Sequence, residues 1–385
     1  MAGGRNRRRS RNRRMTGLYD HTMLLLIFFL VGFGLVMIYS TSSYAATVDK
    51  GHSMFYLKRQ GLMAVMGIFA MLLLSKLDYR FWMKRLPGLS VEWPTFLLWL
   101  SVILQLYVLF FGVELNGAKR WISLGPLGTF QPSDFAKIAI ILYVANLIHR
   151  NPRELDTFKG FVKIAALPVV DVALIGKENM STAIVLILII GGMCFIASKN
   201  RGYYFIIILI AIVGILAVLF LGEGFRMQRV NTWLNLEKIG INDQTYQIMQ
   251  GLYAIAAGGI FGKGLGQSTQ KLGYVPEAQN DWIFSIICEE LGIFGACCII
   301  LVFILLLWRM VQIAVNAPDL FSGMVCTGVI IHIAAQVLIN VAVVTNSMPS
   351  TGVALPFISY GGTSVAMLLA EMGLVLSVSN RVTID

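Results

Sequence analysis

The sequence predicts an all-α polytopic membrane protein of about ten transmembrane helices, with a large extracytoplasmic loop between spans seven and eight. Composition is the first observation behind that fold class. Hydrophobic residues make up 57% of the chain and charged residues 13%, and the mean hydropathy is +0.74, far from soluble averages. The second is a series of apolar runs near the roughly 20 residues that a spanning helix needs. They lie at 20–42, 57–76, 92–112, 134–149, 161–176, 180–198, 202–222, 281–309, 319–345 and 354–379. The third is the placement of Lys and Arg. With the N-terminus inside, the inner segments carry 19 of the 31 basic residues and the outer segments 11, with Lys137 inside a span. This asymmetry predicts that both termini are cytoplasmic.

The basic tail comes first. Seven arginines fall within the first fourteen residues and supply most of the net charge of +11. Residues 1–18 are therefore expected to be a disordered cytoplasmic tail held against anionic lipid or a partner. Residues 19–385 form the transmembrane domain. Little basic excess remains once the tail is set aside, which argues against nucleic-acid binding. An apolar run of spanning length follows the arginines with no small-residue cleavage site, so no signal peptide is predicted. All five cysteines fall inside apolar runs and read as small buried hydrophobes, without disulfides or a metal cluster. The four histidines show no metal-ligand spacing.

This orientation puts segments 113–133, 223–280 and 346–353 outside, where polar and turn-forming residues also collect. No ATP is available on that side, so a bond-forming reaction there needs a substrate that arrives already activated. The 223–280 loop is too long to be a mere connection. Its Asp243–Gln250 stretch and the apolar residues after it predict an amphipathic helix lying at the interface. Gly258, Gly259, Gly262, Gly264 and Gly266 follow, with Lys263 among them. They form either a backbone nest for phosphate or flexible turns.

Asp281 stands where this loop meets the eighth span. It is either an N-cap or a base facing a substrate at the membrane surface. At 100° per residue Asp281, Ser285, Cys288 and Gly292 share one helix face, and the small residues below the acid predict a groove. Asp134 and Lys137, three apart, are neighbours on another helix. His332, Gln336 and Asn340 form a polar stripe expected to bond between helices. Glu289 and Glu290, about 12 Å below Asp281, are expected to be paired structurally, as are Asp171 and Glu371.

Four stretches resemble signatures of the SEDS family (shape, elongation, division and sporulation). They are Asn116-Gly-Ala-Lys-Arg-Trp-Ile122, Gln131-Pro-Ser-Asp-Phe-Ala-Lys137, Lys271-Leu-Gly-Tyr-Val-Pro-Glu-Ala-Gln-Asn-Asp281 and Pro349-Ser-Thr-Gly-Val-Ala-Leu-Pro-Phe-Ile-Ser-Tyr-Gly-Gly-Thr-Ser364. The match covers essentially everything after the tail, and the Pro-Glu-Ala before Asp281 is closer to the division and sporulation branch than to the elongation branch. The resemblance implies a ten-span peptidoglycan glycosyltransferase of the bacterial cytoplasmic membrane that polymerises lipid II on the outer face. It also implies a class B penicillin-binding protein as partner, among other division proteins.

On this resemblance the essential aspartate falls on Asp281, the motif arginine and lysine on Arg120 and Lys137, and the acid pairing that lysine on Asp134. Lys119, Ser359, Arg226, Arg229 and Lys263 complete the candidate substrate-binding set. No cofactor is assigned with certainty, and a divalent cation (Mg or Mn) is a candidate assistant at the pyrophosphate. Two departures stand out. Asp134 replaces the family's usual Glu, and Asn179 takes the place of an acid in Glu178-Asn-Met-Ser-Thr182. The alternative from another class is a lipid II flippase or transporter. Against it, the conspicuous residues gather at the outer rim rather than at the midplane.

Overall fold

The computed structural model describes residues 20–382 apart from 89, 116–117, 124, 126–127, 208, 210–212, 214–224 and 237–242. The expected basic tail and most of the seventh span therefore lie outside the described residues. The helices are α1 (His21–Lys50), α2 (Phe55–Lys76), α3 (Trp93–Phe111), α4 (Pro132–Arg150), α5 (Phe158–Glu178), α6 (Met180–Ala197), α7 (Phe225–Leu234), α8 (Asp243–Gly258), α9 (Ile283–Val315), α10 (Leu320–Val344) and α11 (Thr363–Ser379). Nine of the ten predicted spans fall on them, and the chain is a polytopic α-helical membrane protein. Six of these helices, α1, α2, α3, α6, α9 and α10, are long and apolar enough to cross a bilayer by length and composition. Helices α4, with Asp134 and Lys137, and α5, with Pro168 and Asp171, carry ionisable groups toward neighbouring helices instead.

Helix α4 is central. Most of its side chains are buried because α3, α5, α6, α10 and α11 all pack around it. Helices α2 and α11 pack along their length through small residues. A Cβ on Gly67 would stand 2.8 Å from Ala366 Cα, and one on Gly373 would stand 2.7 Å from the Met71 carbonyl.

The tenth span departs from expectation. Its helix begins only at Thr363, and 353–362 is irregular backbone buried in protein. Pro356 cannot donate to a helical ladder, while Phe357 and Gly362 adopt positive φ of 64° and 52°. Irregular backbone at membrane depth must find donors and acceptors from the protein itself. Here Leu355 N donates to Ser359 Oγ at 2.8 Å and Ser359 N to the Leu355 carbonyl at 3.0 Å. Gln60 Oε1 accepts from Gly361 N and Gly362 N at 3.3 and 3.2 Å.

Helix α8 also departs from expectation: it does not lie along the interface but runs beside α9. Gly251 meets the Trp282 ring, Gly258 the Cys288 carbonyl and Gly262 the Glu290 carbonyl. Each contact is deeper along α9 than the last. At Gly292 (φ 70°, ψ −175°) the α9 helix breaks, and the turn after α8 mends the ladder. Lys263 N and Gly264 N donate to the carbonyls of Glu289 and Glu290 at 3.0 and 2.9 Å, while Ile293 N and Phe294 N donate to those of Gly259 and Ile260, both at 3.0 Å. The glycine-rich run is thus neither a phosphate nest nor a flexible turn. The N–H groups of Lys263 and Gly264 are spent on α9, and that of Gly262 on the Gly258 carbonyl.

The groove expected below Asp281 is likewise filled. Ser285, Cys288 and Gly292 are buried, and a Cβ on Gly292 would collide with the Ile260 carbonyl and Gly262 N. Two cysteines, Cys297 and Cys298, are exposed rather than buried, on the same helix.

Candidate active site

A three-stranded antiparallel sheet in the 113–133 segment, unforeseen in the sequence, places the first residue of the site. It comprises β1 (Val113–Leu115), β2 (Ala118–Ser123) and β3 (Thr129–Phe130) in the order β1-β2-β3. Register pairs Glu114 with Lys119 and Ile122 with Phe130. Side chains alternate along β2, so Arg120 turns inward while Lys119 is exposed. Arg120 lies over the Trp121 ring at 4.4 Å. Lys119 lies outside the cavity that Arg120 lines, with its backbone N–H donating to Glu178 Oε2 at 3.2 Å.

Below Arg120 lies a cavity of about 130 Å3, lined also by Asp134, Lys137, Asn179, Gly352 and Ser359. Lys137 Nζ donates to Asp134 Oδ1 at 2.9 Å, and both side chains are buried. The other Asp134 oxygen accepts from Ser364 Oγ, so the shorter acid is satisfied on both sides. Asn179 caps α6, accepting from Thr182 N at 3.1 Å. Ser359 lines the cavity, yet its hydroxyl accepts from Leu355 N as described above.

Asp281 sits just outside the helix. The N-cap position of α9 is Trp282, and no side-chain capping bond is made there, so the capping role does not apply. Asn340 Nδ2 holds the Asp281 carbonyl at 2.7 Å and the Val353 carbonyl at 2.8 Å. A Cβ placed on Gly352, a cavity residue, would lie 3.7 Å from Asp281 Oδ2, so the carboxyl stands beside the cavity. Burial pushes it up to about 6. A backbone N–H bond opposes that rise, Glu277 adds to it, and Arg229 and Arg120 oppose it. Arg120 is held below the usual guanidinium range by burial and then by Arg229, against the pull of Asp281, Glu277 and Asp134. Arg229, on α7, donates to the Ser350 carbonyl at 3.3 Å.

The structure thus gathers Asp281, Arg120, Arg229, Asp134, Lys137 and Ser359. It does not bring in Lys263, which is bound to Glu289 at 2.7 Å and Thr269 at 3.2 Å. The Arg226 side chain lies outside what is described. The other acids expected to be paired are paired: Glu290 with Lys271 at 2.8 Å, Asp171 with Ser101 at 2.6 Å and Glu371 with His332 at 2.7 Å. Among the described residues no group of three or more His, Cys, Asp or Glu could hold a metal ion.

A family model described as "Cell cycle protein", covering FtsW, RodA and SpoVE, matches residues 21–384. Stage V sporulation protein E of Bacillus subtilis (strain 168) is 37% identical over 366 residues, 94% of this chain and 96% of that protein. A protein named probable peptidoglycan glycosyltransferase FtsW, from Geobacter sp. (strain M18), is 36% identical over 371 residues, 96% of this chain and 98% of the relative. Among solved structures, a chain of a peptidoglycan synthase complex that coordinates polymerization and crosslinking superposes with a TM-score of 0.76. It is 25% identical, with 94% of this chain and 98% of that one covered. The rod shape determining protein RodA of Thermus thermophilus gives a TM-score of 0.67 at 26% identity, over 95% of this chain and 98% of RodA. A match over nearly the whole length places this chain in the FtsW/RodA/SpoVE family of cell cycle proteins.

Proposed function

We propose that the protein is a peptidoglycan glycosyltransferase that polymerises lipid II at the outer membrane surface, with Asp281 as general base. One observation carries the reading: the Asp281 carboxyl, pushed up to about 6 by burial, stands against Gly352 of a cavity whose lining holds Arg120 and Lys137. A value close to working pH suits a group that must take a proton and release it again.

In the reaction a sugar hydroxyl of the acceptor gives its proton to Asp281 while its oxygen bonds to the anomeric carbon of the donor. The bond from that carbon to the diphosphate oxygen breaks, and its electron pair leaves with the prenyl diphosphate. Attack opposite the leaving group inverts the sugar. Arg120, with Lys137 behind it, offsets the charge that grows on the departing oxygens; Arg229 adds to the same field from α7. The buried setting strengthens each of these interactions relative to water.

The likeness to a chain of a synthase complex, and to relatives named for division and sporulation, supports a class B penicillin-binding protein as partner in one of those processes. The Lys and Arg asymmetry supports cytoplasmic termini. The test is glycan synthesis from lipid II in detergent, where sidedness does not exist, with the partner present. Polymer from the wild-type protein and none from a folded Asp281→Asn variant is the expected result. Full polymerisation by that variant overturns the base assignment, and no polymer from the wild-type protein favours a transporter.

A further inference from the structure

The cavity does not end at Lys137. Its floor is formed by His332 of α10 and Glu371 of α11, about 12 Å below Asn340 by helix rise. Both side chains are almost fully buried, at 2% and 1% exposure. His332 Nδ1 lies 2.7 Å from Glu371 Oε2. A carboxylate can only accept, so Nδ1 carries the proton and the ring is held in one orientation. The other ring nitrogen, Nε2, is buried and has no hydrogen-bond partner among the described residues. An ordinary structural histidine would use both nitrogens. An orphaned nitrogen in a residue lining a polar cavity points to something that binds there.

Resting on the reading that the departing diphosphate occupies this cavity, we propose that His332, oriented by Glu371, is a further substrate-binding residue whose Nε2 holds a diphosphate oxygen at the cavity floor. The contact needs one proton, carried either by Nε2 or by the phosphate oxygen. It is therefore favoured by protons, whichever of the two partners carries the one it needs. The charged groups facing the same space are Glu371 on α11, Asp134 and Lys137 on α4, and Arg120 on β2, while α6 contributes the uncharged Asn179 and Thr182. Lys137 and Arg120 supply positive charge to the same space.

The test is binding of inorganic diphosphate to the purified full-length protein at pH 6 and pH 8, for wild type, His332→Gln and Lys137→Met. Ionisation of the probe is common to all three, so the difference between pH profiles isolates the histidine. The wild-type protein is expected to lose about tenfold more affinity between pH 6 and pH 8 than His332→Gln, the size of one charge-assisted hydrogen bond. Equal slopes in the two proteins, with binding abolished only by Lys137→Met, overturn the role of His332 and leave the diphosphate reading intact. No binding by wild type at either pH overturns both. Should His332→Gln fail to fold, Glu371→Gln serves instead, since it frees the ring and is expected to flatten the same profile.

Discussion

Asn340 donates its side-chain amide to the backbone carbonyl of Asp281 at 2.7 Å and, through the same nitrogen, to Val353 at 2.8 Å. One residue of α10 thus ties the proposed base to the irregular segment that carries Gly352. Replacing it by Ala leaves two carbonyls without their donor, at a cost of about 1–3 kcal/mol. The expected outcome is a lower Tm together with a turnover loss of about 10–100-fold from a displaced base, with KM for lipid II changed far less.

The raised value of Asp281 fixes the sign of a pH effect. A base must be ionised, so polymerisation is expected to fall as pH drops below about 6 and to level off above it. The same shift bears on stability. A carboxyl whose folded value exceeds its unfolded one binds its proton more tightly when folded. It therefore costs stability as pH rises from about 4 through 6. Asp281→Asn removes that cost, so at pH 7.5 its Tm is expected to match or exceed wild type while activity is lost. Thermal melts beside the synthesis assay check both halves.

The pair formed by Asp134 and Lys137 is buried, so removing one partner strands a charge. Asp134→Asn is expected to destabilise the protein by about 3–5 kcal/mol and to lower activity. Asp134→Glu is expected to fold, because the longer acid keeps the charge beside Lys137, though it must repack against Ser364. Denaturation midpoints of the two variants separate loss of charge from loss of fit.

Where α8 crosses α9, a side chain has no room. Gly258→Ala sets a methyl group against the Cys288 carbonyl, and Gly292→Ala adds a clash to a backbone at φ +70°. Strain of that kind costs about 1–3 kcal/mol per residue before the clash. Gly259→Ala, at φ +55° but in open space, is the control and is expected to lose less. Protease resistance of the 259–281 segment reports the difference.

The helices were legible because each predicted span is an apolar run, and the site because Asp281, Arg120, Asp134 and Lys137 stand in compact motifs. The sheet was not. Strands of three, six and two residues are too short for a period of two to show. The position of α8 was hidden for another reason. An amphipathic helix buries its apolar face equally well in lipid headgroups or on a neighbour, and only the three-dimensional match of Gly251, Gly258 and Gly262 to α9 decides between them. Pro356, Gly361 and Gly362 did announce a break in the tenth span, but hydropathy outweighed them. Gln60 and Asn340 carry no local signal at all, since the carbonyls and N–H groups they satisfy lie far away in the chain.

The shared ladder at Gly292 limits how the outer loop can move. Pulling residues 259–264 away would strand the carbonyls of Glu289 and Glu290 and the N–H groups of Ile293 and Phe294, and an unsatisfied group at membrane depth costs several kcal/mol. Ser268, Thr269 and Gln270 are tied to Glu289, and Lys271 to Glu290. The chain is therefore moored to α9 from residue 259 to residue 271, and any displacement that reaches Asp281 is confined to the residues that follow.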